Sequence, residues 1–183
     1  KIRSHGLFIG KGRNCLTEAV KLAQEKNIDY VERGIKKCVV YLEPSEFTST
    51  WLGNKSVYRT RMAMADGGEL IVLAPGVHQF GEDKTVDGLI RKYGYRPREE
   101  MLELYRNDPL LSSNMSLAGH LIRSVPSLST KLSYCTDKLT REEGEHAGFC
   151  HMSVAEALKA LSDGEEIYFV RNAALGLWQY DGE

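Results

Sequence analysis

"IKKCVVYLEPSEFTSTWLGNKSVYRTRMAMADGGELIVLAPG", residues 35–76, decides the fold. An apolar run at 36–42 reads as a strand, the polar "LEPSEFTST" as a turn, and "WLGNKSVYRTRMAMADGG" as a helix running into a Gly67-Gly68 stop. "GGELIVLAPG" then carries an uninterrupted apolar stretch, Leu70 to Ala74, which fits a strand at 69–74 buried on both faces. The three pieces make a β-α-β unit. Such crossovers are right-handed and pair their strands in parallel, so the carboxyl ends of both strands open onto one edge, where ligands of open α/β sheets bind.

Within the helix, Trp51, Tyr58, Met62 and Ala65 fall in one stripe at 3.6 residues per turn, and Lys55 sits inside that stripe. A cation near a helix N-terminus also opposes the macrodipole. Two readings fit. Either the lysine snorkels past Trp51 to water, or its ammonium joins unpaired backbone N–H groups at the helix start in a clamp for a carboxylate or phosphate. Spacing alone leaves them even.

Outward from this unit the alternation of strand and helix continues. Upstream, "GLFIGKGRNCLTEAVKLAQEKN" predicts a strand at 6–9, a glycine turn and an amphipathic helix from about 15 to 25, capped by Asn14, with Leu16, Ala19, Val20 and Ala23 inward. Downstream, helical patterns at 84–93, 97–106 and 112–124 are punctuated by Gly94, Pro97, Pro109 and Pro126. "KLSYCT" at 131–136 reads as a strand, "TREEGEHAGF" as a short capped helix, "SVAEALKALSDG" as a helix stopped at Gly164, and "EIYFVRN" as the last strand. The expected architecture is α/β, a mostly parallel sheet flanked by helices with a helical insertion after the central β-α-β unit. Residues 1–35 read as the end of a preceding domain or a connecting segment, and 36–183 as one α/β domain. The start at Lys1, without Met, suggests the inside of a longer protein.

At 183 residues the chain is long enough for one well-buried core. Its 24 Lys and Arg against 25 Asp and Glu, a net charge of -1, give no reason to expect bulk binding to nucleic acid or an anionic membrane. No apolar run approaches the ~20 residues of a membrane helix, and no secretory signal is visible. Cys15, Cys38, Cys135 and Cys150 form no C-x-x-C pair and read as reduced core thiols of a cytoplasmic protein.

Other candidate sites are sparse. "GKGRN" at 10–14 has two glycines of a dinucleotide fingerprint, but Cys15 holds the third position and no P-loop Lys-Ser/Thr follows. The five histidines include no H-E-x-x-H, so no metal site is expected. His120, inside the apolar "MSLAGHLIRS", reads either as a hydrogen-bonded core residue or as a site residue. There is no G-x-S-x-G nucleophile elbow. Glu99-Glu100 and Glu142-Glu143 lie near helix starts, where they complement the dipole. No catalytic residue stands out.

The segment "YLEPSEFTSTWLGNKSVYRTRMAMADGGELIVLAPGVHQFGEDKTVDGLIRKYGY" resembles the carboxyl-terminal half of the nickel-dependent lactate racemase family. That family carries an aromatic-Gln-x-x-Lys motif on a helix, then a Gly-Gly and an apolar strand twelve residues after the lysine. Trp51, Lys55 and Gly67-Gly68 match, and the similarity extends over about 38–178, including "ALGLW". The resemblance implies a racemase or epimerase of 2-hydroxy acids, working by hydride transfer to a nickel-pincer nucleotide while two histidines exchange the hydroxyl proton. Lys55 would meet the substrate carboxylate or alcohol oxygen and Trp51 would line the pocket. Leu52 stands where the family has glutamine, which points away from lactate towards a larger, sugar-derived hydroxy acid. The family's histidine pair and cofactor-holding residues belong to its amino-terminal half, and no stretch here matches them. The resemblance therefore implies an amino-terminal domain of the same protein as partner, and an isolated chain that is inactive. His120 falls in the insertion where the family approaches its cofactor, a possible cofactor or substrate contact. The competing expectation is a non-catalytic small-anion or nucleotide-binding module using "GKGRN" and the helix at 50–66, and a weaker one is a purely structural domain.

Overall fold

The computed structural model describes residues 3–124, 130–161, 166–174 and 176–180. Its centre is the predicted β-α-β unit. Strand β2 (Ile35–Tyr41) pairs in parallel with β3 (Met64–Leu73), Cys38 opposite Leu70 and Val40 opposite Val72. With β4 (Lys131–Cys135), β5 (Cys150–Met152) and β6 (Tyr168–Val170), they form one parallel sheet in the order β5-β4-β3-β2-β6. The chain steps outward from β2 to β5, then returns to lay β6 on the far side of β2. A separate parallel pair joins β1 (Ile28–Val31) to β7 (Leu177–Tyr180).

Alternation along the strands divides the core. Cys38, Val40, Leu42, Leu70, Val72, Leu132 and Tyr134 face the larger cluster, and Val39, Ile71, Leu73 and Cys135 the smaller. The helical insertion covers the larger face through α4 (Lys84–Tyr93), α5 (Arg98–Asn107), α6 (Pro109–Ser112) and α7 (Met115–Arg123), which bury Ile90, Met101, Leu111, Leu117 and Leu121. Local chemistry sets the starts. Asp83 caps α4, Asp108 caps α6 with Pro109 at its first position, and Asn114 caps α7. Capping boxes Thr140/Glu143 and Ser153/Glu156 open α8 (Arg141–His146) and α9 (Val154–Ala160). No helix among the described residues is long and apolar enough to cross a membrane.

Several expectations are corrected. Residues 6–9 form no strand, and Leu7 and Ile9 are 84% and 85% exposed. Helix α1 (Arg13–Asn27) begins after Gly12 rather than at Asn14 and buries none of its residues, with Leu16 65% and Val20 43% exposed. The helix expected through 51–66 breaks into α2 (Thr50–Gly53), α3 (Lys55–Thr60) and a 3-10 turn (Arg61–Ala63). Gly67-Gly68 is not a helix stop but lies inside β3, where the register with β2 shifts; Gly67 takes φ 70°. Strands β1, β5 and β7 have no expected counterpart, and "EIYFVRN", which contains β6, is followed by β7 rather than being the last strand. The helix stop at Gly164 and the break at Pro126 lie outside the described residues.

The thiols also differ from one another. Cys38 and Cys135 are buried, and burial pushes each thiol up to about 12, whereas Cys15 is half-buried and Cys150 exposed. A thiol reagent at neutral pH should label Cys150 in the native protein but reach Cys38 and Cys135 only on unfolding, as peptide mapping would read out.

Candidate functional site

At the carboxyl edge of the sheet, the loops after β2 and β3 lie against each other. Ser49 bridges Gln79, the His78 N–H donates to the Thr48 carbonyl at 3.0 Å, and a Cβ on Gly76 would sit 2.4 Å from the Pro44 carbonyl oxygen. Helix α2 starts from this double loop. The Thr50 N–H donates to Gln79 O at 3.0 Å, Trp51 N–H to Phe80 O at 2.8 Å, Leu52 N–H to Ser49 Oγ at 3.2 Å and Gly53 N–H to Ser49 O at 2.9 Å. Ser49 Oγ in turn donates to the Glu82 carboxylate. The backbone donors expected to await an anion are therefore already taken, because the loop after β3 supplies carbonyls in their place. With only four residues in α2, there is also little macrodipole for a cation to oppose.

The buried face of α2 and α3 is more polar than hydrophobicity predicts, with Val57 its apolar member. Ser49, Thr50, Asn54, Ser56 and Thr60 are fully buried. Their hydroxyls survive burial by bonding the local backbone: Thr50 Oγ1 donates to Phe80 O at 3.0 Å, Ser56 Oγ to Gly53 O at 2.6 Å and Thr60 Oγ1 to Ser56 O at 2.6 Å. The apolar stripe lies outward instead, with Trp51, Leu52 and Tyr58 half-buried and Met62 56% exposed.

Lys55 belongs to this outward face. It is half-buried, its Nζ lies 5.9 Å from the ring centroid of Phe47 in the loop after β2, and no ion pair among the described residues engages it. It thus sits beside the carboxyl edge, but it lines neither of two cavities found elsewhere. One, of about 1040 Å³, opens at the amino ends of β2 and β6 among Tyr30, Arg33, Lys36 and Tyr168. The other, of about 300 Å³, lies between Phe80, Arg91, Glu143 and His146, where the Arg91 guanidinium is held by Asp87 and Glu143, each at 2.7 Å.

Trp51 and His120, singled out separately in the sequence, meet. Their rings stack at 4.1 Å with 30° between planes. His120 Nε2 lies 3.1 Å from Tyr95 Oη, and Tyr95 Oη 2.9 Å from Thr50 Oγ1. Burial lowers the His120 imidazole to about 4, so the ring is neutral at neutral pH, and burial raises the Tyr95 phenol. Tyr95 stacks on Phe149 and Phe149 on Tyr134, both at 4.8 Å. The Tyr134 hydroxyl ends beneath Gly53, where a Cβ would lie 2.1 Å away. Tyr134 Oη and both amide atoms of Asn54 are buried without a hydrogen-bond partner. Tyr95, Thr50 and Tyr134 carry no sequence signal that would have joined them to Trp51.

The residues present do not form a metal site. Among the described residues no group of three His, Cys, Asp or Glu side chains could hold an ion. His78, His146 and His151 each place a ring nitrogen 3.0–3.1 Å from a backbone carbonyl oxygen, of Gly76, Arg91 and Leu139 respectively. Nickel would have to be held by residues outside this donor set. Around "GKGRN" the strand that a dinucleotide fingerprint requires is absent.

No family model matches the chain, and no curated protein matches it in sequence. Its fold is similar to several solved structures, among them two longer proteins. One, from Thermotoga maritima, has a TM-score of 0.75 at 19% identity over 92% of this chain and 42% of its own. The other is the lactate racemase apoprotein from Thermoanaerobacterium thermosaccharolyticum, with a TM-score of 0.60 at 13% identity over 91% of this chain and 40% of its own. At such identities the likeness is one of fold. The chain spans about two fifths of the length of each.

Proposed function

We propose that the outward face of α2 and α3 is the substrate side of a 2-hydroxy acid racemase or epimerase, of which this chain is the carboxyl-terminal domain. The observation that carries this reading is that Trp51, Leu52 and Lys55 stay only half-buried while small polar side chains and Val57 fill the buried face of the two helices. Trp51 and Leu52 pack one side against the core and leave the other open next to Lys55, beside the carboxyl edge of a parallel sheet. An apolar surface around a cation that no carboxylate pairs among the described residues is suited to a small organic anion, which a second surface would then enclose. The fold likeness to a lactate racemase apoprotein is consistent with that reading.

On this proposal an amino-terminal domain of the same protein closes the cleft and would hold the nickel-pincer nucleotide, since the described residues offer no ligand set for it. Hydride chemistry belongs to that group, and the residues here bind and orient. The Lys55 ammonium pairs with the substrate carboxylate, the Trp51 indole covers the carbon chain, and Leu52 removes a polar contact that a small substrate would need, which favours a longer sugar-derived acid. Four free thiols suit a reducing cytoplasm.

The test is an amide and indole NMR titration of the chain with D-gluconate and L-lactate. Gluconate should shift the Trp51 indole and the 52–55 amides, and Lys55→Ala should weaken its binding about 10- to 100-fold, the worth of a charged hydrogen bond. Shifts confined to other surfaces, or an unchanged affinity in Lys55→Ala, would refute the assignment.

A further inference from the structure

Which acceptor takes the single Thr50 proton sets the hydrogen-bond polarity around Trp51. Given to the Phe80 carbonyl at 3.0 Å, it leaves Thr50 Oγ1 only able to accept from Tyr95, 2.9 Å away. Tyr95 must therefore donate to Thr50, which leaves its oxygen only able to accept from His120 Nε2 at 3.1 Å. His120 must then carry its proton on Nε2. The bare Nδ1 faces Ser124 Oγ at 3.5 Å. The series runs one way, from imidazole to phenol to hydroxyl to carbonyl. Its last acceptor, Phe80 O, also takes the Trp51 backbone N–H at 2.8 Å, and its first donor stacks on the Trp51 ring. The circuit starts on the indole and closes on the same residue's backbone.

We infer that His120 is a positioning residue, locked by Tyr95 and Thr50 as the Nε2–H tautomer so that the stacked imidazole holds the Trp51 indole ready for substrate. This rests on the reading of the outward face as the substrate side. A half-exposed tryptophan would otherwise turn about its side-chain torsions, and fixing it on binding would weaken affinity. Here the backbone is fixed by Phe80 O and the ring by His120 before any ligand arrives. The bond to Tyr95 also holds the imidazole plane, since a flip of the ring would put the bare Nδ1 against a phenol that has no proton to spare.

The tautomer and the ligand affinity are measured together. Long-range 1H–15N spectra of the wild-type chain should show His120 protonated on Nε2. Thr50→Val removes the acceptor of the Tyr95 proton, so the phenol turns to donate to Nε2 and His120 should switch to the Nδ1–H form. Tyr95→Phe removes the partner altogether and should release the preference. Both variants should weaken D-gluconate binding by about 3- to 10-fold, the equivalent of one neutral hydrogen bond. A wild-type His120 protonated on Nδ1, or no tautomer change in Thr50→Val, overturns the circuit. A tautomer change with unaltered gluconate affinity overturns the positioning role and leaves the substrate face standing. Gluconate shifts that bypass Trp51 and ignore Lys55→Ala remove the substrate face, and the positioning role with it, even where the tautomers behave as stated.

Discussion

Gly148→Ala should destabilise the protein by about 3–4 kcal/mol, the sum of a left-handed backbone penalty and an overpacking cost. At about 2–4 °C per kcal/mol for a chain of this length, the melting temperature falls by about 6–16 °C. Gly148 follows α8 with φ 91°, a conformation that an L side chain resists. Its added Cβ would lie 2.2 Å from the Tyr95 carbonyl oxygen and 3.2 Å from the carbonyl carbon. Those are backbone atoms, and they cannot swing aside. Tyr95 N–H donates to Ala147 O at 2.8 Å, and Phe149 N–H to Gly144 O at 3.0 Å, so both sides of the contact are tied. The displaced residues are also the ones that stack, Phe149 between Tyr95 and Tyr134. Gly88→Ala in α4 is the control with the opposite sign. Nothing lies within 4 Å of its Cβ, and the gain in helix propensity is about 0.5–1 kcal/mol. Thermal unfolding of the two variants beside wild type checks both signs, and an unchanged melting temperature in Gly148→Ala would mean that the two backbones do not approach so closely.

The parallel sheet was legible because its signals are local. An unbroken Leu70 to Ala74 run marks a strand covered on both faces, and Thr140 and Ser153 open helices by the chemistry of their caps. The orientation of α2 and α3 was not legible, for a definite reason. Hydrophobic periodicity scores side chains, whereas what lets Ser56 and Thr60 go inside is a backbone carbonyl one turn earlier that accepts each hydroxyl proton. The stripe through Trp51, Tyr58 and Met62 is real, but it is only half-buried at Trp51 and Tyr58 and exposed at Met62. Lys55 within an apolar stripe was a conflict only on the assumption that the stripe faced the core. The clamp of free N–H groups failed likewise, since nothing in residues 49–53 tells that Gln79 and Phe80 will bring carbonyls to them. Strands β1, β5 and β7, three or four residues long, carry too little apolar sequence to register, whereas β6, equally short, sits in the apolar "IYFV". The Trp51 and His120 pairing joins segments whose separation in sequence carries no trace of their contact.

Asp87→Ala should cost about 2–4 kcal/mol, because two backbone donors lose their acceptor at once and a cation loses a carboxylate. Asp87 Oδ1 accepts from Phe80 N–H at 2.6 Å and Gly81 N–H at 3.1 Å, while Oδ2 accepts from Arg91 Nε at 2.7 Å. An ordinary surface ion pair is worth about 0–1 kcal/mol, so the excess measures the backbone bonds. Phe80 is also the residue whose carbonyl receives both Thr50 Oγ1 and the Trp51 N–H, so the variant should loosen the Trp51 face as well as lower the melting temperature. Asp87→Asn separates the contributions. It keeps an oxygen for Phe80 and Gly81 and gives up the charge beside Arg91, so its loss should be the smaller. Burial alone would raise the Asp87 carboxyl, but the bonds from Arg91, Phe80 and Gly81 and the charge of Arg91 outweigh it and the net shift is downward. A folded-state value below the unfolded one means stability that is fully present above the ordinary carboxylate range and lost as pH falls through the lowered value. The melting-temperature gap between wild type and Asp87→Ala should therefore be full at neutral pH and narrow on acidification below that range. A gap that stays constant into strong acid would show that Asp87 acts here as a space-filling side chain, and that the loop carrying Phe80 is held by other means.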